Sequence, residues 1–333
     1  MSSWRGRDFL TEQECSADEL RDLIEHAAVL KSQRRANASS QVNPRLAGRQ
    51  LAVVLAKTST RTRLAFEVAM RELGGGVSVL DATTSQLGHK ESIADTARVL
   101  AGMVDAIAYR GSDQSDVEEL ARYADVPVYN ALSDQWHPTQ MLADFLTMSE
   151  FVSGPPSYAF LGDTRSNMGN SLLMMGAIMG ADVRLVAPRT LWPTPEIQQA
   201  AEDRAGESGA QLLLTESVEE GVAGVDFVHT DVWVSMGEAR EVWDTRVALL
   251  RPYRVDAQVM SLTGKSSTKF MHCLPAYHDQ QTTLGRQIAS QFGLTDGVEV
   301  SNDVFESPNS VVFQQAENRL HTIKALLDRT LSD

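Results

Sequence analysis

A chain of 333 residues is long enough for about two domains of ordinary size. Its 43% hydrophobic and 22% charged residues are a globular composition, and a formal net charge of −14 argues against a general nucleic-acid binder. Two distant cysteines, Cys15 and Cys273, give no disulfide framework. No apolar stretch approaches the ~20 residues of a membrane span, and the first residues lack a signal-peptide core, so a cytoplasmic protein with no membrane partner is expected.

Residues 16–33 space Leu20, Leu23, Ile24, Ala27 and Leu30 as an amphipathic helix, with Ser16 or Asp18 as cap. Residues 34–46 are polar and read as a loop. The apolar run 51–56 reads as a buried strand, followed by Ser59-Thr60-Arg61-Thr62-Arg63. A helix then starts, with Leu64, Val68 and the Arg71 stem on one line and Phe66, Met70 and Leu73 on the next. Gly74-Gly75-Gly76 ends it. Further strands are expected at 77–80, 105–109, 126–129, 158–161, 183–187, 211–214, 226–230, 258–262 and 269–273, with helices between most of them. This rhythm predicts an α/β protein of two doubly wound domains, each a mainly parallel sheet flanked by helices. The break Gly154-Pro155-Pro156 sets the boundary: residues 1–152 form one domain and 153–317 the other.

In open α/β sheets, ligands bind beyond the C-terminal ends of the strands. The run 59–63 lies at such an end, where a helix N-terminus offers free N–H groups and a partial positive charge. Its hydroxyls and guanidiniums suit a phosphate. The plainer alternative is that Ser59 or Thr60 caps the helix and the arginines are solvated. Arg110 follows the strand 105–109, and His137-Pro138-Thr139-Gln140 opens a helix with proline in its first turn. Asp163 and Asn167 follow 158–161. Asp231, then Ser235 and Met236, follow 226–230, and His272-Cys273-Leu274-Pro275 ends the strand at 269. Singly, Asn167 reads equally as a cap, Arg110 as a surface ion pair and His137 as a loop histidine. No G-x-G-x-x-G follows a strand and no Walker sequence occurs, which disfavours a nucleotide-dependent dehydrogenase or kinase. His272, Cys273 and His278 match no common zinc spacing. No metal and no cofactor is expected.

Taken in order, Ser59–Arg63, His137–Gln140 and His272–Pro275 resemble the signatures of the aspartate/ornithine carbamoyltransferases. The segment Asp231–Glu238 resembles the ornithine-binding loop of the ornithine branch, and Gly88–Ser92 and Gln315–Arg319 also match that branch. The resemblance runs from about residue 8 to the C-terminus. It implies a carbamoyl-phosphate domain, an amino-acid domain, and a last helix from about residue 318 that returns to the first domain. It also implies a homotrimer, or a multiple of trimers, with active sites at subunit interfaces. By resemblance, Ser59, Thr60, Arg61 and Thr62 hold the phosphate, and Gln86 reaches the phosphate of a neighbouring subunit's site. Arg110 and His137, with Thr62, donate to the carbamoyl oxygen, and Gln140 holds the carbamoyl amide. Asn167, Asp231, Ser235 and Met236 hold the α-amino and α-carboxylate ends of L-ornithine. Cys273, the Leu274 carbonyl and Arg319 line the reacting centre.

The implied chemistry is attack of ornithine's side-chain amine on carbamoyl phosphate, giving citrulline and phosphate. Side-chain donors would stabilise the tetrahedral oxyanion, and the helix end the departing phosphate. The attacking amine, with a pKa near ~10.4, must be made neutral by its pocket. Three alternatives stay open: another amine acceptor such as putrescine or a shorter diamino acid, a covalent role for Cys273, and a non-catalytic paralogue.

Overall fold

The computed structural model describes residues 4–36, 44–81, 91–234 and 241–332. The chain divides into two units, Met1–Thr147 with Ala316–Asp333, and Met148–Gln315.

In the first unit the apolar runs become four parallel strands, β1 (Gln50–Leu55), β2 (Gly76–Asp81), β3 (Ala106–Arg110) and β4 (Val128–Leu132), in the order β2-β1-β3-β4. β1 and β3 are nearly continuous apolar runs because both sheet faces are covered. Helices α1 (Ala17–Ala36), α2 (Thr60–Glu72), α3 (Ile93–Ala101), α4 (Gln114–Tyr123) and the start of α5 (Pro138–Ser149) belong to this unit. Ala52, Val54, Ile107 and Tyr109 pack with Val117, Leu120 and Val128 in one core cluster.

The second unit holds five parallel strands, β5 (Ser157–Leu161), β6 (Asp182–Val186), β7 (Gln211–Thr215), β8 (Phe227–Thr230) and β9 (Lys269–His272), in the order β7-β6-β5-β8-β9. Between them run α6 (Asn167–Met179), α7 (Pro195–Ser208), α8 (Val218–Val222), α9 (Glu241–Leu250) and α10 (Ala257–Leu262). Beyond β9 lie α11 (Thr283–Phe292), α12 (Asn302–Phe305) and α13 (Val312–Leu331), whose later turns belong to the first unit. Val228, Trp233, Leu250, Phe270 and Val300 share this unit's core cluster. No helix among the described residues is long and apolar enough to cross a membrane.

Several expectations change. Residues 258–262 form helix α10 instead of a strand. The Asp256 side chain accepts the Val259 N–H at 3.0 Å, and this cap decides a short apolar run whose period is ambiguous. Helix α1 continues past residue 33 to Ala36, where Arg34 of its last turn bonds Glu72 at 2.8 Å. Phe66 and Met70 of α2 and its C-cap Leu73 are buried, whereas Leu64 is exposed. Gly74 ends that helix with φ +82°, a conformation that favours glycine. Arg110 is the last residue of β3 itself.

Candidate functional site

Each sheet has one point where the strand order reverses, and the described candidate residues gather near it. In the first unit the reversal lies between β1 and β3, whose last residues, Leu55 and Arg110, pair in register. Helix α2 starts five residues after β1. Ser59 is its N-cap and accepts the Thr62 N–H at 3.2 Å, so the capping reading of Ser59 is right as far as it goes. Thr60 is exposed and Arg61 half-buried on the first turn. A cavity of about 520 Å³ opens here, lined by Leu55, Ser59, Thr60, Arg63 and Asp81. That volume lies in the range of small-molecule sites.

Behind the first turn, five side chains from four elements meet. Thr62, Arg110, His137, Gln140 and Arg319 are all buried. The Thr62 hydroxyl oxygen accepts Nη1 of Arg110 at 3.5 Å and Nη2 of Arg319 at 3.3 Å. With both lone pairs directed at guanidiniums, the hydroxyl proton of Thr62 is the atom left to donate. Arg319 Nη1 also donates to Gln140 Oε1, and to His137 Nε2 at 3.3 Å. Arginine has only donors, so Nε2 of His137 is the accepting nitrogen and its proton sits on Nδ1. Burial, reinforced by Arg319 and Arg110, holds the His137 pKa well below its ordinary value. A neutral histidine between two guanidiniums can offer an N–H without adding a third charge.

In the second unit the reversal lies between β5 and β8. Asn167 is the first residue of α6, beyond β5, but it is not the cap: Ser166 accepts the Gly169 N–H at 3.2 Å. A Cβ at Gly169 would fall 2.2 Å from the Thr164 carbonyl oxygen, so this tight entry to the helix requires glycine. Thr230 of β8 pairs with His272 of β9, which makes Asp231 and Cys273 the next facing residues. The Cys273 thiol donates to Asp231 Oδ1 at 3.3 Å, and the Val232 N–H donates to the same oxygen at 2.8 Å. Desolvation raises the Asp231 pKa, with His272, the Val232 N–H and Cys273 opposing it.

His272 is engaged through one ring nitrogen and faces a carboxylate with the other. Its Nδ1 accepts the Leu274 N–H at 2.9 Å and its Nε2 faces Glu299 Oε1 at 3.3 Å. Leu274 sits at φ +61°, unusual for a residue with a Cβ, and this bond helps to hold it there. Asp231, His272 and Cys273 do offer three ligand-type atoms within 4.8 Å of one another. Of the two imidazole nitrogens, Nδ1 is occupied by the Leu274 N–H. The carboxylate beside the sulfur disfavours a Cys273 thiolate through like charge.

Gln86, Ser235 and Met236 lie outside the described residues. Two supporting residues escaped sequence reasoning. Glu299, fully buried, carries no local signal. Asp144, which accepts from Gln140 Nε2 at 2.7 Å, had a signal in its i,i+4 spacing on one helix.

Comparison with known proteins gives a consistent result. The aspartate/ornithine carbamoyltransferase carbamoyl-P binding domain matches residues 7–150, and the Asp/Orn binding domain of the same family matches 156–330. The chain is 54% identical over 332 residues to an "Ornithine carbamoyltransferase, catabolic" of Rhizobium meliloti (strain 1021), covering 99% of this chain and 98% of that one. It is 53% identical over 331 residues to a protein of the same name from Pseudomonas putida, covering 98% of each. Among solved structures, ornithine carbamoyltransferase from Pyrococcus furiosus superimposes with a TM-score of 0.88 at 40% identity, over 99% of both chains. An anabolic ornithine carbamoyltransferase from Campylobacter jejuni gives 0.85 at 36% identity, over 96% of this chain and 97% of that one.

Proposed function

Because this chain belongs to the aspartate/ornithine carbamoyltransferase family, we infer that it transfers the carbamoyl group of carbamoyl phosphate to the side-chain amine of L-ornithine, giving L-citrulline and phosphate. The observation that carries this reading is the buried cluster in which Arg110 and Arg319 converge on Thr62 beside a neutral His137.

In this reading Ser59, Thr60, Arg61 and Thr62 hold the phosphate at the start of α2, and Gln86 comes from a neighbouring subunit. The neutral ornithine amine attacks the carbamoyl carbon. A C–N bond forms, the C–O bond to phosphate breaks, and the proton that the amine gives up ends on the departing phosphate. Arg110, the Nδ1–H of His137 and the Thr62 hydroxyl donate to the developing oxyanion, a contribution of about 3–4 kcal/mol for one such donor. Gln140 accepts from the carbamoyl amide. Asp231, Asn167, Ser235 and Met236 hold the amino-acid end of ornithine, and Cys273 and the Leu274 carbonyl line the reacting centre without a covalent step. The protein works as a trimer or a multiple of trimers in the cytoplasm, in arginine metabolism. The word "catabolic" in the names of both 53–54% relatives supports phosphorolysis of citrulline as its direction in the cell.

The test is to supply carbamoyl phosphate with L-ornithine, putrescine, 2,4-diaminobutyrate, lysine or aspartate, and to follow carbamoylated product and phosphate together. Citrulline formation selective for ornithine is expected. Faster turnover of another amine would move the specificity, and no transfer to any acceptor would leave a non-catalytic paralogue.

A further inference from the structure

Gln140 and Asp144 lie one turn apart on α5, with relative exposures of 1% and 0%. On an exposed helix face such a pair adds only about 0.2–0.5 kcal/mol of helix stability. Here it is buried, and it is continuous with the substrate cluster. Gln140 Nε2 donates to Asp144 Oδ1 at 2.7 Å, while Gln140 Oε1 accepts from Arg319 Nη1.

A primary amide can be turned end for end with almost no change in shape, but not in hydrogen bonding. A guanidinium offers only donors and a carboxylate oxygen an acceptor. Flipping Gln140 would therefore set donors against Arg319 and an acceptor against Asp144. Either fault in a buried site costs more than an ordinary hydrogen bond gains. In the observed orientation Oε1 has a second lone pair beside the one that Arg319 uses. That lone pair suits an N–H donor, and a methyl group in the same place has nothing to give it.

We propose that Asp144 is a positioning residue that fixes the Gln140 amide with its oxygen toward the substrate, and thereby selects a carbamoyl phosphate over an acyl phosphate that lacks the amide. This rests on the reading that Gln140 holds the carbamoyl amide. Asp144 touches no reacting atom. It acts by removing the wrong rotamer of Gln140.

The experiment measures equilibrium binding of carbamoyl phosphate, acetyl phosphate and inorganic phosphate to the full chain and to the Asp144→Leu, Asp144→Asn and Gln140→Met variants. Wild type is expected to prefer carbamoyl over acetyl phosphate. In Asp144→Leu that preference falls about tenfold, the equivalent of one hydrogen bond of roughly 1.4 kcal/mol, with inorganic phosphate binding unchanged. Asp144→Asn keeps the shape but can also present a donor, so it allows the flipped amide. It is expected to lose about threefold of the preference, and it carries the test if Asp144→Leu does not fold. An unchanged preference in a folded Asp144 variant overturns the proposal. So does an equal weakening of all three ligands, which is what a merely structural role produces. Gln140→Met separates the two levels. If it keeps the wild-type preference, the role of Gln140 fails and the proposal with it. If it loses the preference while the Asp144 variants keep it, only the role of Asp144 fails.

Discussion

The two candidate clusters occupy the same place in their respective sheets and have opposite electrical character. In the first unit, beyond β1 and β3, two buried guanidiniums share uncharged partners: a hydroxyl, an amide and a neutral imidazole. In the second, beyond β8 and β9, carboxylates dominate, with Asp231 taking the Cys273 thiol and Glu299 facing His272. The reversal of strand order leaves a crevice in either case. Side chains decide which charge it welcomes. Burial shifts pKa values toward the neutral form at both, lowering that of His137 and raising that of Asp231. An anion suits the first cluster, and an ammonium group the second.

Breaking the cationic cluster should have the largest effect. Arg319→Met removes the group that joins Thr62, His137 and Gln140, and kcat/KM for carbamoyl phosphate is expected to fall by 10²–10³, about 3–4 kcal/mol. Steady-state kinetics with ornithine saturating check this, and a loss below about tenfold would mean that the cluster is structural. Next comes the acidic cluster. Asp231→Asn should raise the KM for ornithine by an amount equivalent to about 1.5–3 kcal/mol, the range of a hydrogen bond to a charged group. Carbamoyl phosphate affinity, measured separately, should hold. Equal losses for both substrates would erase the contrast between the clusters.

Acid should act through buried histidines. The pKa of His137 is held well below its ordinary value, and burial takes that of His229 to about 3. In the unfolded chain both bind protons near ~6.5, so between that value and the folded one the unfolded state holds more protons. Stability from this source is complete above about pH 6.5 and drains as pH falls, by up to about 1.4 kcal/mol per pH unit for each histidine. Asp231, with its pKa raised, works in the opposite sense above about pH 3.9. Urea midpoints recorded downward from neutrality should fall more steeply in wild type than in His229→Gln; parallel curves would show that His229 titrates normally. The smallest change is Ser59→Ala, which deletes the cap of α2 and should cost about 1 kcal/mol of stability, read as a lower unfolding midpoint.

Local signals carried much of this. Short apolar runs, the glycine that stops α2 and the proline that opens α5 need only nearest neighbours to act, so those elements were legible. The polar groups were legible because strand ends are where parallel sheets place them. The misreading of 258–262 has the converse origin. Five residues cannot display a period, and the Asp256 cap was overlooked. Glu299 was beyond reach because its partner, His272, is distant in sequence and a glutamate alone announces nothing.

By itself the sequence determined the class of fold, the motifs and the family they resemble, since these rest on composition, periodicity and ordered local patterns. Only the tertiary structure decided which of those residues act together. Parallel register set Asp231 beside Cys273, and the packing of α13 within the first unit set Arg319 against Thr62, His137 and Gln140. Burial then fixed the protonation of His137. Desolvation and hydrogen-bond partners are properties of the folded neighbourhood, and no stretch of chain contains them.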